Sequence, residues 1–171
     1  MKRKLLGFFS VLGILAGFSG CGANDSVCGL LPDGGKGDPD YLTPEPQACA
    51  DRGSIGFGRE FNSGTFIGMK PQDTLSIRNG GTSDLVVNSV TLTGDSAFTL
   101  TTEPETFPAT IPGNKYVYMR VVFAPTQGKL YTAKLKVESN AKNFPVREFD
   151  ISGCGVPTDG GVSTCYGDGG M

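Results

Sequence analysis

Two long stretches of the chain alternate apolar and polar side chains with a two-residue period. Val117, Met119, Val121 and Phe123 share one parity, and Tyr116, Tyr118 and Arg120 the other. A breaker follows, Ala124-Pro125-Thr126-Gln127-Gly128. Beyond it Tyr131, Ala133, Leu135 and Val137 alternate with Thr132, Lys134, Lys136 and Glu138. This period marks strands with one buried and one wet face, whereas a helix would scatter the same residues around its circumference. The same pattern predicts strands over 54–58, 74–78, 85–92, 95–100 and 146–152, with Leu75, Ile77, Phe98, Leu100, Phe149 and Ile151 inward. Phe66, between Gly64 and Gly68, marks an edge segment. In the 85–92 strand the apolar parity slips between Val87 and Val90, which predicts a bulge near Asn88-Ser89. Residues 79–84, Asn-Gly-Gly-Thr-Ser-Asp, read as a turn, and the Pro-interrupted 103–112 reads as a link. The expectation is an all-β fold: an immunoglobulin-like, seven-stranded antiparallel β-sandwich over 54–155, with a disordered N-terminal arm and a short C-terminal tail.

The period also sets a register. If Phe149 and Ile151 face inward opposite Leu135 and Ala133, then Lys136 stands opposite Glu148 and Lys134 opposite Asp150 on the outside. Opposite charges so placed contribute about 0.2–1 kcal/mol per pair.

Composition narrows the function more than the fold. The chain has 26 Gly, 11 Pro, no Trp and no His, which suits one turn-rich β domain with appendages. Without His, the commonest general base and the commonest metal ligand are both missing. Ser-His-Asp and Cys-His sites are excluded, and no GxxxxGK[ST] phosphate loop occurs. Residues 53–155 hold 10 basic and 9 acidic side chains, and the acidic excess sits in the flanks. A near-neutral domain of this kind gives no electrostatic reason to expect nucleic acid.

The N-terminus reads as an address. Met1-Lys2-Arg3-Lys4 precedes an apolar run over 5–18, shorter than the roughly 20 residues of a spanning helix but suited to a secretory signal. Phe18-Ser19-Gly20-Cys21 then resembles the bacterial lipobox. The resemblance implies a lipoprotein signal peptide over 1–20, removed to leave Cys21 as a lipidated N-terminus. Acyl chains contribute about 0.8 kcal/mol per buried methylene, so several chains tether firmly to a membrane. Gly22 is not the acidic residue that retains lipoproteins at the inner membrane of enteric bacteria. The resemblance therefore implies the outer membrane of a bacterial cell envelope.

Residues 21–53 read as an acidic, Gly/Pro-rich tether and 156–171 as a Gly-rich tail. Asp33, Asp38 and Asp40 are hard oxygen donors, but their spacing lacks the EF-hand pattern and its closing Glu, so a solvated spacer is the preferred reading over a calcium loop. With Cys21 assigned to lipid, Cys28, Cys49, Cys154 and Cys165 remain, and two disulfides allow three connectivities. In a seven-stranded sandwich Cys49 precedes the first strand at one pole and Cys154 follows the last at the other. Disulfide Cα atoms lie about 4.4–6.8 Å apart, which favours the local pairs Cys28–Cys49 and Cys154–Cys165.

The order of several marks resembles the choice-of-anchor D family, also called Hydin-type immunoglobulin-like domains. They are Phe57-Gly58, Leu75-Ser76-Ile77-Arg78-Asn79-Gly80-Gly81, Leu85-Val86-Val87, Phe98, Ile111-Pro112-Gly113, Val121-Val122-Phe123-Ala124-Pro125, Gly128, Ala133, Leu135, Ser139-Asn140 and Ile151-Ser152-Gly153-Cys154-Gly155. The resemblance spans about 54–155 and implies a surface or extracytoplasmic scaffold without characteristic catalytic residues. The chain departs from it in carrying a single copy and in having Cys154 where the family has a small or polar residue.

Two candidate surfaces remain. Glu103 and Glu105 flank Pro104 in the link and read as a solvated loop rather than a glycosidase pair. Tyr116, Tyr118 and Arg120 form the contact stripe, because Tyr and Arg are enriched at interfaces, although Tyr also favours exposed strands. The sheet edges offer strand addition as a second route. The expected function is a lipid-anchored, extracytoplasmic, non-enzymatic module that binds or positions another envelope component. Its expected partners are the membrane and another envelope protein, with no cofactor, metal, nucleic acid or small-molecule substrate. The alternatives are a purely structural envelope lipoprotein and a calcium-dependent protein.

Overall fold

The computed structural model describes residues 28, 43–58, 64–158 and 165. The signal segment, Cys21, the arm aspartates Asp33, Asp38 and Asp40, and all of 159–171 except Cys165 lie outside the described residues.

Ten strands are present among the described residues: β1 (Ala48–Ala50), β2 (Ser54–Phe57), β3 (Thr65–Phe66), β4 (Gln72–Asn79), β5 (Leu85–Gly94), β6 (Phe98–Glu103), β7 (Ala109–Ile111), β8 (Tyr116–Phe123), β9 (Leu130–Ser139) and β10 (Val146–Val156). They form two sheets, one ordered β1-β4-β8-β6 and the other β2-β10-β9-β5-β7, with β3 also on β10. The inward sets are those the alternation predicts. Leu75 and Ile77 of β4 and Val117, Met119, Val121 and Phe123 of β8 pack in one core with Leu85, Val87, Leu135, Phe149 and Ile151. Each such side chain contributes about 1.5–3 kcal/mol by leaving water. At one end Phe123 stacks on Phe98 at 4.8 Å between ring centroids and meets Phe57 at 5.4 Å and Tyr131 at 5.5 Å. Gly153 passes directly beneath: a Cβ there would lie 2.7 Å from the Phe123 ring.

The β9–β10 register is the expected one, with Lys136 opposite Glu148, Lys134 opposite Asp150, Leu135 opposite Phe149 and Ala133 opposite Ile151. The charges redistribute within it. Lys134 reaches Asp150 at 2.8 Å and Glu148 at 3.7 Å, while Lys136 turns along its own strand to Glu138 at 2.6 Å. The predicted bulge is present, the β5–β9 register shifting between Val87 and Ser89.

Three features differ from the sequence reading. The long pairings are antiparallel, but β2 and β3 run parallel to β10, with Ile55 opposite Ile151 and Thr65 opposite Gly155. The link over 103–112 contributes β7, which pairs with β5. The segment read as the end of the tether belongs to the domain: β1 pairs with β4, and Ala48 is in the core. Three residues are too few to show a period, and the side chains of Ala48-Cys49-Ala50 are too small to announce burial.

Cross-links from both sheets hold that segment. The Thr43 amide donates to the Gly80 carbonyl at 3.2 Å, and the Lys142 amide donates to Pro46 at 2.9 Å. The side chain of Asn143 pairs with Ala48 as a neighbouring strand would, its Oδ1 accepting from the amide at 2.9 Å and its Nδ2 donating to the carbonyl at 3.1 Å. Gly81 lets the two layers close up, since a Cβ there would run into the Glu45 carbonyl. Asn79, fully buried at the end of β4, joins the parts. Its Oδ1 accepts from the Gly81 amide at 2.9 Å and the Gln47 amide at 3.4 Å. Its Nδ2 donates to Ser83 at 2.8 Å and Ile111 at 2.9 Å.

Candidate functional site

The outer face of the β1-β4-β8-β6 sheet collects the candidate residues in cross-strand rows. Cys49 stands opposite Arg78, and Arg78 opposite Tyr116. Ser76 stands opposite Tyr118, and Tyr118 opposite Glu103. Arg120 lies between Thr74 and Thr101. Residues directly opposite one another share a face, so Tyr116, Tyr118, Arg120 and Arg78 form one surface.

Tyr116 and Tyr118 are 43% and 41% exposed, high for rings of this size. They stack on each other at 5.7 Å with 14° between planes. Two residues apart on one strand, they stand side by side on the sheet. Arg78 Nη1 donates to Asn114 Oδ1 at 3.1 Å. Among the described residues neither Arg78 nor Arg120 has a carboxylate within ion-pairing distance.

Beyond Tyr118 the face dips into a depression of about 530 Å³ lined by Thr74, Thr101, Thr102, Glu103, Glu105, Tyr118 and Arg120. Sequence reasoning left Glu103 and Glu105 in a solvated loop. Glu103 in fact ends β6 and stands beside Tyr118, so both carboxylates border the same face. The signal that would have found them is the alternation of Thr99, Thr101 and Glu103 against Phe98 and Leu100, carried one residue further.

Both disulfides are those expected, Cys28–Cys49 and Cys154–Cys165, with Cα atoms 5.2 and 5.5 Å apart. Cys49 points to the outer face, in the row of Arg78 and Tyr116, and is buried there. Cys154 sits at the other pole, opposite Leu130. Two such bonds fit an oxidising, extracytoplasmic compartment. Among the described residues no helix is long and apolar enough to cross a membrane, and no group of three or more Cys, Asp or Glu is placed to hold a metal ion.

The opposite sheet presents a different surface. Its groove of about 440 Å³ is lined by Ser54, Thr93, Thr132, Ser152 and the Lys134–Asp150 pair. The hydrogen bond that Lys134 donates to Asp150, followed by the charge of that carboxylate, raises the Lys134 pKa. The hydrogen bond from Lys136, followed by that from Ser89, lowers the Glu138 pKa. Charge there is neutralised in pairs. At the far pole burial pulls the Tyr131 pKa up, but hydrogen bonds from Thr126 and Gln127 and the nearby Lys129 ammonium bring it below 10.0.

No family model matches the chain, and no curated protein does. Solved structures do. The ASH/PapD-like domain 7 of human CEP192 superposes with a TM-score of 0.50 at 18% identity, over 71% of this chain and 93% of that one. A protein of unknown function from Porphyromonas gingivalis W83 gives 0.47 at 16% identity, over 72% of this chain and 60% of that one. The periplasmic chaperone SfaE gives 0.45 at 14% identity, over 71% and 61%. The chain is an immunoglobulin-like β-sandwich, and at these identities the likeness is one of fold alone.

Proposed function

We propose that this protein is a lipid-anchored, extracytoplasmic, non-enzymatic binding or scaffold module of a bacterial envelope. Its contact surface is the outer face bearing Tyr116, Tyr118, Arg120 and Arg78. One observation carries the reading: two exposed, stacked tyrosines, flanked by arginines that have no ion-pair partner among the described residues, stand on a sheet whose other face is packed core. Large amphipathic rings beside arginine are what binding surfaces concentrate. The resemblance of 1–21 to a lipoprotein signal and of 54–155 to choice-of-anchor D domains supports the same reading, as does the oxidising compartment that the disulfides fit. The solved neighbours include a periplasmic chaperone, whose likeness to this chain is one of fold.

The anchor is tested by labelling cells with a palmitate analogue. Incorporation should occur in the wild type and vanish in Cys21→Ala; equal labelling of both rejects the anchor. The surface is tested by photo-crosslinking in intact envelopes from position 118 and from Thr91 on the opposite sheet. Adducts from 118 alone are expected, and equal yields from both positions reject this face.

A further inference from the structure

We propose that the partner of the Tyr116/Tyr118 face is the membrane surface itself, and that the Cys28–Cys49 disulfide holds the face against it. The proposal rests on lipidation of Cys21. The first observation is where the anchor joins the domain. Between Cys21 and the first arm residue fixed to the fold, Thr43, lie 22 residue steps. A chain of that length has a root-mean-square span of about 26 Å and reaches about 75 Å when stretched. The disulfide ties the domain at Cys28, only seven steps from Cys21. The same estimates then give a span of about 15 Å and a limit of about 25 Å. That limit keeps the attachment point within about 25 Å of the membrane surface.

The second observation is which part of the domain the leash holds down. Cys49 lies on the outer face in register with Arg78 and Tyr116. Adjacent strands are about 4.8 Å apart, so Tyr116 stands about 10 Å across the sheet from the attachment point. A leash fixed on that face, and no longer than it, presents the face rather than the opposite sheet.

The third observation is chemical. Exposed Tyr rings and Arg side chains combine an apolar body with a polar tip and favour the headgroup layer of a bilayer. Arg78 and Arg120, in no ion pair among the described residues, offer positive charge to lipid phosphates. The face is also graded. The disulfide and Arg78 lie toward β1, while Glu103 and Glu105 lie toward β6. Anionic lipid would therefore draw the β1 side down and tilt the β6 edge away. The opposite sheet, with its lysines already paired to carboxylates, has no such preference.

The test uses the full lipidated chain in vesicles of phosphatidylethanolamine and phosphatidylglycerol, with benzoylphenylalanine at position 118 or 91. Flotation with the vesicles, lost in Cys21→Ala, reports the anchor alone. Photo-crosslinks to lipid should come from 118 several-fold more than from 91, and fewer should form in phosphatidylcholine vesicles. The paired change Cys28→Ser and Cys49→Ser lengthens the leash about threefold. Because local concentration falls with about the 3/2 power of length, lipid adducts at 118 should drop about fivefold. Inserting 15 flexible residues after Gly22, with the disulfide intact, should have the same effect without disturbing the domain. If the protein floats but 118 and 91 crosslink to lipid equally, or the lengthened leashes leave the yield at 118 unchanged, the proposal fails while the anchor stands. Adducts from 118 with protein or glycan instead of lipid in whole envelopes overturn it equally.

Discussion

Replacing Asn79 with Ala removes a side chain that satisfies four backbone groups at once. The Gly81 amide and the Ile111 carbonyl are buried and lose partners at 2.9 Å. The Ser83 carbonyl is half-buried and loses one at 2.8 Å, and the Gln47 amide loses a longer contact at 3.4 Å. A buried polar group left without a partner costs about 1–3 kcal/mol, and a half-buried one that water can reach costs about half that. The two buried groups and the Ser83 carbonyl together give about 2.5–7.5 kcal/mol. Against a total stability of about 5–15 kcal/mol for a domain of this size, that is about a sixth at the least. The melting temperature should fall by about 10–30 °C, at about 4 °C per kcal/mol. Urea unfolding at pH 7 followed by circular dichroism measures the loss directly, and Asn88→Ala at an exposed position provides the control. Asn79→Asp separates the roles of the two side-chain atoms. It keeps the acceptor for Gly81 but turns the donor toward Ser83 and Ile111 into a second acceptor facing carbonyls, so it should cost at least as much as Ala. A loss below about 1 kcal/mol for Ala, or near-native stability for Asp, would refute the argument.

Gly153→Val drives a branched side chain into the Phe123 ring and should cost about 1–3 kcal/mol or more in urea unfolding; a neutral result would show that the ring has room to move. Tyr131→Phe strands the Thr126 and Gln127 amides that donate to its hydroxyl and should cost about 1–2 kcal/mol, with unchanged stability contradicting that role. Reducing Cys154–Cys165, which closes a short loop, should cost about 2–3 kcal/mol while the far-ultraviolet spectrum stays native; loss of that spectrum would mean the bond holds the core. The pKa of Glu138 is lower in the folded protein, so its stabilisation is present above the ordinary carboxylate value of 4.5 and is lost as pH falls through the lowered one. The difference in melting temperature between wild type and Glu138→Gln should accordingly be largest near neutrality and shrink on acidification, and a constant difference would rule this out.

What the sequence made legible follows from the length of the signal. β8 and β9 each offer at least eight alternating positions, enough to set period, inward face and, with β10, the register. The bulge at Ser89 was readable because a slip in parity is itself a pattern. β1 and β7 have three residues each and β3 two, too few for any period. They are specified by what they touch: Asn143 and Asn79 for β1, the upper part of β5 for β7. Parallel pairing on β10 was illegible for a related reason, since direction depends on the path of the chain between strands rather than on side-chain alternation. The stripe on β8 was visible as a row of three residues. Its breadth was not, because Arg78, Thr74 and Glu103 join it only through cross-strand neighbours far away in sequence. Asn79 read as the first residue of a turn, and nothing local announces that a buried amide there binds residues up to 32 positions away.

The parallel arrangement of β2, β3 and β10 bears on how the domain withstands mechanical load. Tension applied from the N-terminal side enters through Cys49 in β1, five residues before β2 begins, and tension applied from the C-terminal side enters through Cys154, near the end of β10. Because β2 and β10 run the same way, these pulls slide one strand along the other and strain all of their hydrogen bonds at once, where an antiparallel pair pulled from adjacent ends would unzip bond by bond. A load applied between the two disulfides is thereby carried in shear along the paired strands.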